Sequence, residues 1–517
     1  MDRISGLPKA ILHDILGRLP DKDAAKTCVL SKLWRETWFS FPILSICSKN
    51  FFTRRDFLSS PEDPLWLSKL DTFTEYVTKR LMRLRDQHLT IKEVKLNLTY
   101  IIVRRQVNHY IDWWIQMAIE SGVEVLELHL TGGAKGDWYN IPLCLTQAKS
   151  LTKLVLSGGI RLDPAFLNHS LKFFSMKTLS LSHLLFGYEG VMEHFISHCP
   201  LIEHLTLDFC NVDNPLRLGD PPGSNNYRVK SLSLHGLQNL KGASLQYIRE
   251  VHIGAPNLEN LIYYAPVDGD ESFMLNLDSC TNLKCLSLWH LRSPNKLLHE
   301  ILSKIPFLES LTLRNCSIFE YEKLNISSPQ LKFFGLLFCS NLKEVNIDAP
   351  NLLSCDYGGD DKLAISSLRN SNQPELNAYL GVDPRHPYSL REFVENIKPQ
   401  EVLGSLSLFI HEPCSFRESL GVLQVSSLPP SIKRVQLRVH MDKEADYFPF
   451  MNWLLSSCFP ETISFSLRSF FNMKAFIVVV KVTHLERTYE NVEDLKAMLD
   501  ALPESHVAEY VNFGLEL

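Results

Sequence analysis

The sequence of 517 residues predicts an α/β solenoid, in which a small three-helix module is followed by a curved horseshoe of stacked repeats. Three observations support this prediction. An apolar-x-x-apolar-x-apolar pattern recurs from residue 91, and between residues 123 and 331 its copies start 23 to 29 residues apart. Each copy ends in strict alternation, which is typical of a short strand with one buried face. Several intervening stretches, such as VNHYIDWWIQMAIESG, have the periodicity of amphipathic helices that stacked neighbours would cover.

The three-helix module begins with SGLPKAILHDILGRLP, residues 5–20, which two Leu-Pro pairs bracket. Pro8 suits the first turn of a helix, where its missing N–H costs nothing, and Pro20 ends the helical stretch. The apolar residues cover two adjoining faces at helical spacing. A module of about 45 residues is marginal alone and needs disulfides, a metal or a partner. From the residues alone, docking on another protein and packing on the rest of the chain are equally open.

The stretch ISGLPKAILHDILGRLPDKDAAKTCVLSKLWRETW resembles a plant-type F-box. Many positions match in order, including Leu7-Pro8, Leu19-Pro20 and Trp34-Arg35, while Leu33 stands where arginine is usual. In that family the box docks on a Skp-type adaptor within a cullin ubiquitin ligase. The resemblance therefore implies an adaptor-binding surface made by Leu7, Pro8, Ile11, Ile15, Leu19, Pro20, Val29, Leu30 and Trp34.

The repeat lengths fall in the range of leucine-rich repeats. Cys210, Cys316 and Cys339 stand eight residues after the start of their copies, where this repeat type tolerates Asn or Cys, and we expect small buried side chains rather than reactive thiols there. An extra copy, LKEVNI at 342, is predicted as an outer strand that replaces a helix between inner strands at 331 and 352. The phrases HYIDWWIQMAIESGVEVLELHL and FMNWLLSSCFPETISFSL also resemble plant F-box proteins with leucine-rich repeats.

These patterns divide the chain into four predicted parts. They are an F-box at 1–46, a helical linker at 47–90, a leucine-rich-repeat solenoid at 91–467 and an atypical C-terminal segment at 468–517. Within the solenoid, residues 361–400 are polar and contain prolines, which predicts a loop or an irregular repeat. The C-terminal segment combines a β-like run at 476–482 with an acidic helical stretch at 491–502.

A row of side chains on the predicted inner face is the candidate target-binding site. In each copy the residue six positions after the start points to that face. Consecutive copies place Asp208, His235, Tyr264, Trp289 and Arg314 there. Tyr, Trp and Arg are enriched in the residues that dominate binding energy at protein interfaces. We expect this row to grip a segment of a partner protein, unless loops cover it or the register differs.

Composition and motifs argue against several classes of protein. The net charge of −5 does not favour nucleic acid, and no stretch is apolar enough for a membrane span or a secretion signal, which predicts cytoplasm, nucleus or both. No nucleophile elbow, phosphate loop or Cys-x-x-Cys pair occurs, so we expect neither enzyme activity, metal nor cofactor. Five His and Cys residues between positions 194 and 210 have some of the spacing of metal ligands, but a surface helix followed by a strand explains them better. They are His194, His198, Cys199, His204 and Cys210.

The function implied by the resemblance is substrate recognition in an SCF-type (Skp-cullin-F-box) ubiquitin ligase, in which the box binds the adaptor and the repeats hold a target. Such a receptor catalyses by proximity and needs no chemistry of its own. Two alternatives stay open. One is a leucine-rich-repeat scaffold whose box no longer recruits a ligase, and the other is a small-molecule sensor. For a sensor the sequence offers no clear polyphosphate site, and the basic pair Arg104-Arg105, just outside the repeat strands, is better explained as a solvated face.

Overall fold

A computed structural model of the chain describes residues 7–19, 21–53, 56, 63–99, 107–131, 138–188, 190–213, 228–266, 273–292, 294–317, 323–340, 344–359, 365–369, 375–382, 402–410, 431–441, 459–469, 475–483 and 511–516. The chain forms two compact units, Met1–Asn282 and Leu283–Leu517. Each unit is described by itself.

The first unit contains six α-helices and fifteen strands within its described residues. The helices are α1 (Lys9–Arg18), α2 (Asp21–Lys26), α3 (Lys32–Phe39), α4 (Pro64–Asp86), α5 (Asn108–Glu120) and α6 (Gly190–Ser197). The strands are β1 (Ile43–Cys47), β2 (Glu93–Thr99), β3 (Val125–Thr131), β4 (Tyr139–Asn140), β5 (Lys153–Gly158), β6 (Ile160–Leu162), β7 (Thr178–Ser182), β8 (Leu185–Phe186), β9 (His204–Asp208), β10 (Asn211–Val212), β11 (Ser231–His235), β12 (Gly242–Gln246), β13 (Glu250–Gly254), β14 (Asn260–Tyr264) and β15 (Met274–Asn276).

The main feature of this unit is a ladder of parallel strands, here called the inner ladder. It runs β1-β2-β3-β5-β7-β9-β12-β14. Within each strand, alternate leucine-type side chains are buried, as Leu205 and Leu207 are in β9. Short outer strands form two further parallel sheets, β4-β6-β8-β10 and β11-β13-β15. One repeat cannot close its own core, and stacked neighbours bury a continuous one.

The second unit repeats this arrangement. It contains α7 (Pro294–Lys304) and the strands β16 (Cys285–Trp289), β17 (Ser310–Arg314), β18 (Lys323–Ser327), β19 (Phe333–Leu337), β20 (Glu344–Asp348), β21 (Ser354–Gly359), β22 (Ile365–Arg369), β23 (Glu375–Val382), β24 (Val402–Ile410), β25 (Ser431–Met441), β26 (Phe459–Ser469), β27 (Ala475–Thr483) and β28 (Val511–Glu516). Its inner ladder runs β16-β17-β19-β21-β23-β24-β25-β26 in parallel, and its outer sheet is β18-β20-β22. The predicted α/β solenoid with a three-helix N-terminal module is confirmed.

The prediction for LKEVNI at 342 is confirmed, because this copy forms β20 of the outer sheet between inner strands β19 and β21. The same arrangement begins earlier than predicted. The copy at 229 forms β11 of an outer sheet, and the inner strand of that region is β12. Placing His235 on the inner row is therefore wrong. Inner and outer strands both bury one face against the core. Apolar and polar residues therefore alternate in the same way along both, and the pattern cannot tell them apart.

Two other segments differ from the expectations. Residues 361–400 contain β22 and β23, which pair with neighbouring strands rather than forming only a loop. Both pairings include a register shift, β22 with β20 and β23 with β24, so the alternative of an irregular repeat fits better. The ladder also begins before residue 91, since β1 pairs in parallel with β2. The predicted linker helix is present as α4, and the β-like run at 476–482 is β27, which pairs antiparallel with β26. The acidic stretch at 491–502 lies outside the described residues.

Candidate binding surfaces

The three N-terminal helices enclose a small core of their own. Its buried members are Leu12, Leu16, Ala24, Trp34, Trp38 and Phe41. The N-cap of α3 is Ser31, whose Oγ accepts a hydrogen bond of 3.2 Å from the backbone N–H of Trp34. This cap starts the helix where its tryptophans face inward. Trp34 is only 3% exposed, so the structure places it in the module's core, and its contact with an adaptor stays a prediction. An aromatic side chain of that size supplies more stability inside the module than it could on a surface.

The module also carries exposed aliphatic side chains outside this core. Ile11 is 46% exposed, Val29 86% and Leu30 63%. Leu19 and Leu33 are also exposed, which puts five of the described chain's 17 exposed large hydrophobic residues between positions 11 and 33. Concentrated apolar surface of this kind marks an interaction site. We call these five residues, Ile11, Leu19, Val29, Leu30 and Leu33, the apolar face of the module.

The remaining predicted adaptor contacts lie at the margin of this face. Pro8 is exposed and is the N-cap of α1. Leu7 and Ile15 are half-buried and pack against the module's core. Pro20 lies outside the described residues. In the sequence, Leu33 differs from the family only by replacing the usual arginine. The structure shows in addition that Leu33 is exposed and belongs to the apolar face.

The module is fastened to the repeats through Arg80 of α4. The guanidinium lies 4.2 Å from the ring centroid of Trp38 and donates to the carbonyl oxygens of Phe39 and Phe41, at 3.3 and 3.4 Å. Burial lowers the pKa of Arg80 to about 10, and burial raises the pKa of Asp21 to about 6 although Arg80 opposes that rise. One side of the module is thus packed on the chain itself, while its apolar face is left uncovered by the described residues.

The predicted target-binding row is divided between the two units. In the first unit, Asp208 ends β9, and its carboxylate lies 3.9 Å from Nε2 of His183. Burial raises the pKa of Asp208. Tyr264 ends β14 and pairs in register with Gln246 of β12, the residue that takes the inner position predicted for His235. The amide side chain of Gln246 therefore occupies the inner position at which the sequence predicted the imidazole of His235.

In the second unit, Trp289 of β16 and Arg314 of β17 lie side by side on adjacent strands, as predicted. The Arg314 guanidinium lies 4.4 Å from the ring centroid of Trp289 and 5.7 Å from that of Phe338. The Trp289 indole donates a hydrogen bond of 2.9 Å to Oγ of Ser287. The register extends this row to Leu337, Gly358 and Tyr379.

Sequence reasoning missed the residues that follow the inner strands. Six of them that are not glycine have positive φ: His183, Phe209, Tyr247, His290, Asn315 and Phe338. The left-handed conformation ordinarily favours Gly or Asn. Several positions here carry aromatic rings instead, and Phe209 stacks between His183 and Tyr247 at centroid distances of 4.9 and 4.4 Å. No periodic pattern of apolar residues marks these sites, because each lies in a turn.

Three cysteines, each predicted eight residues after the start of its repeat, lie next to these turns and make contacts inside the solenoid. Sγ of Cys210 lies 3.4 Å from the carbonyl oxygen of Leu181, and Cys316 and Cys339 make equivalent contacts with preceding strands. Burial raises the pKa of Cys210 to about 12. Cys210 and Cys316 are buried near their turns, as expected. Cys339 differs, because it is only half-buried and its hydrogen bond with Cys316 lowers its pKa.

The group weighed as metal ligands has ordinary hydrogen bonds in the fold. His194 Nε2 lies 2.9 Å from the carbonyl oxygen of His169, and Cys199 is buried. Within the described ranges, His, Cys, Asp and Glu side chains form no group of three or more suited to a metal ion. None of the helices in the described part of the chain has the length and hydropathy that a membrane span requires.

Known proteins resemble both parts of the chain. A family model for the F-box domain matches residues 4–46, and a model described as the At1g61320/AtMIF1 LRR domain matches residues 84–274 and 272–498. The FBD-associated F-box protein At4g10400 of Arabidopsis thaliana is 26% identical over 354 residues, which cover 60% of this chain and 77% of that protein. The F-box/FBD/LRR-repeat protein At5g22660 of the same plant is 27% identical over 293 residues, covering 55% of this chain and 56% of that protein.

A third relative covers a shorter part of both chains. The F-box/LRR-repeat protein At3g03360 of Arabidopsis thaliana is 34% identical over 223 residues, covering 43% of this chain and 41% of that protein. The repeat model alone spans more than half of this chain, and the F-box model spans its start. The chain belongs to the plant-type F-box proteins with leucine-rich repeats.

Proposed function

We propose that this chain is the substrate receptor of an SCF-type ubiquitin ligase in the cytoplasm or nucleus. The apolar face of the F-box would bind a Skp-type adaptor and, through it, a cullin, while the repeats hold a target protein for ubiquitination. The observation that carries the proposal is the exposure of Val29 and Leu30, at 86% and 63%, beside a module whose other side is already packed. Burying such surface against a partner is favourable at about 25 cal/mol per Å².

The fastening of the F-box to the repeats supports this role. The box and the first inner ladder belong to one compact unit, and Arg80 joins α4 to α3 and to the carbonyl oxygens that follow it. A receptor acts by holding a target close to the conjugating enzyme. A box packed on the array keeps the geometry between adaptor and repeats more uniform than a free tether would.

The proposal assigns no chemistry to the chain itself. A thiol that relays ubiquitin would need an exposed cysteine with a lowered pKa. Burial instead raises the pKa of Cys28, on the F-box, and that of Cys199 to about 12, in the repeats. These thiols are suited to packing, and the ligase's enzymes would supply the transfer.

The alternative is a repeat scaffold that binds a partner without recruiting a ligase. The target-facing rows of the two units fit both functions equally. Only the apolar face of the F-box separates them, because a scaffold gives no reason to keep five exposed aliphatic residues within positions 11–33.

Adaptor affinity tests the proposal directly. A recombinant plant Skp-type adaptor should bind the purified full-length chain, and the double variant Val29→Asp with Leu30→Asp should weaken binding at least ~100-fold, because two carboxylates would be buried without partners. Biolayer interferometry gives both dissociation constants. Leu201→Asp is the matched control, since Leu201 is 45% exposed in the same unit but outside the box, and its affinity should not change. A wild-type chain that fails to bind, or a double variant that binds equally well, contradicts the proposal.

A further inference from the structure

Arg314 in the second unit is held by aromatic side chains. Its guanidinium lies 4.4 Å from the Trp289 ring centroid and 5.7 Å from that of Phe338. Stacking on aromatic faces fixes the plane of a guanidinium and leaves its edge available for a bidentate acceptor. The indole of Trp289 is itself oriented by its hydrogen bond to Ser287. We call Ser287, Trp289, Arg314 and Phe338 the Arg314 patch.

The charge of Arg314 is not balanced within the described residues, where it makes no ion pair. Its Nε is buried and has no hydrogen-bond partner there. Two basic residues elsewhere in the same unit do form ion pairs, Lys332 with Glu309 at 2.9 Å and Lys323 with Glu344. The neighbouring turn residue His290 supplies no negative charge that could pair with Arg314. Burial and the positive charge of Arg314 both lower the pKa of His290. Arg314 as a whole is half-buried, so the exposed part of its side chain can take an anionic acceptor supplied from outside.

Phe338 supplies the apolar part of the patch at some conformational cost. It has a φ of +54°, and its side chain is 41% exposed. The equivalent turn position after β17 is Asn315, a residue that adopts this conformation more easily. A phenylalanine that is both strained and exposed contributes little to folding, and strained residues are concentrated where a surface has a function.

We propose that the Arg314 patch is a docking site for a segment of the target protein that carries an Asp or Glu side chain beside an aromatic or aliphatic one. The carboxylate pairs with the guanidinium edge, and the neighbouring apolar side chain packs on Trp289 and Phe338. This inference rests on the proposed role as a substrate receptor and adds the chemistry of the bound segment. An Arg between aromatic anchors has the composition of a binding hot spot.

Selection of random dodecapeptides displayed on phage, with the immobilised full-length chain as bait, tests the docking site. Peptides selected on the wild-type chain should be enriched in Asp or Glu next to an aromatic or aliphatic residue. Arg314→Gln should weaken binding of the best peptide about 10-fold or more, which corresponds to the loss of one charge-assisted contact. Arg314→Lys should be intermediate, and Arg314→Glu should select peptides with Lys or Arg instead.

Lys332→Gln is the matched control, because it removes a positive charge from the same unit at a residue already paired with Glu309, and it should leave peptide binding unchanged. A selection that yields no peptides, peptides without acidic enrichment, or equal binding by Arg314→Gln overturns the proposal. Circular dichroism and thermal unfolding of each preparation show that the variants are folded, and adaptor affinity is measured beside them. That affinity separates the two proposals, since a chain that binds acidic peptides but no adaptor contradicts only the ligase role.

Discussion

At the scale of single residues, the balance between packing and exposure decides what the F-box can do. Trp34 and Trp38 are buried, while Val29 and Leu30 of the same short module are exposed. Arg80 lies at the boundary, where it stacks on Trp38 and satisfies two backbone carbonyl oxygens. A buried charge of this kind contributes through the groups it satisfies, because removing it leaves them unpartnered.

Arg80→Met should therefore loosen the F-box from α4. The substitution keeps much of the side-chain length but leaves the carbonyl oxygens of Phe39 and Phe41 and the carboxylate of Asp21 without their cation, which should cost about 3 kcal/mol. Hydrogen exchange measured by mass spectrometry should show faster exchange in α1 to α3.

Lys79→Met is the control for Arg80→Met. Lys79 lies one position away on the exposed side of α4, where it pairs with Glu75, and such surface pairs contribute less than about 1 kcal/mol. Exchange in α1 to α3 should be unchanged in this variant. Equal exchange in the Arg80→Met variant and the wild-type chain would show that α4 does not hold the F-box.

At the scale of elements, the periodic pattern predicted most inner strands, because one buried face is all that the pattern reports. It could not separate inner from outer strands, which explains the misplacement of His235 on β11. It also missed β1, a single strand outside any complete repeat, and for the polar residues around β23 it left a loop and an irregular repeat both open. The turn residues after the inner strands belong to no alternating apolar pattern, and so the place of Phe338 in the Arg314 patch could not be predicted.

Gly158 at the end of β5 is a point where the ladder allows no side chain. Its φ is +97°, and a Cβ there would lie 1.8 Å from the carbonyl oxygen of Leu130 on β3. Gly158→Ala should therefore separate β5 from β3 locally and cost about 3 kcal/mol or more. Limited proteolysis and hydrogen exchange of β3 and β5 measure this effect.

Gly17→Ala is the matched control for Gly158→Ala. Gly17 lies in α1, and the nearest atom to its added Cβ is Cζ of Phe41 at 3.8 Å. Alanine should stabilise this helix by up to about 1 kcal/mol. If Gly158→Ala is as resistant to protease as Gly17→Ala, the close approach of β5 to β3 does not exist in solution.

At the scale of the whole molecule, we propose one surface for adaptor binding and another for target binding. The apolar face of the F-box belongs to the first unit, and the Arg314 patch belongs to the second. Sequence resemblance predicted the first surface, and the structure shows that Trp34 is buried in the module's core and that Leu33 is exposed. The second surface combines two predicted residues, Trp289 and Arg314, with Ser287 and Phe338, whose contacts with them the structure supplies.

The central claim, that the apolar face recruits a ligase, is tested most directly by quantitative mass spectrometry of complexes captured from plant cells with the proteasome blocked. The tagged wild-type chain should carry the Skp-type adaptor and a cullin in near-equal amounts. Both should fall together by at least ~10-fold in the Val29→Asp with Leu30→Asp variant, and neither should fall in the Leu201→Asp control. Absence of the adaptor from the wild-type complex, or an undiminished amount in the double variant, would contradict the account.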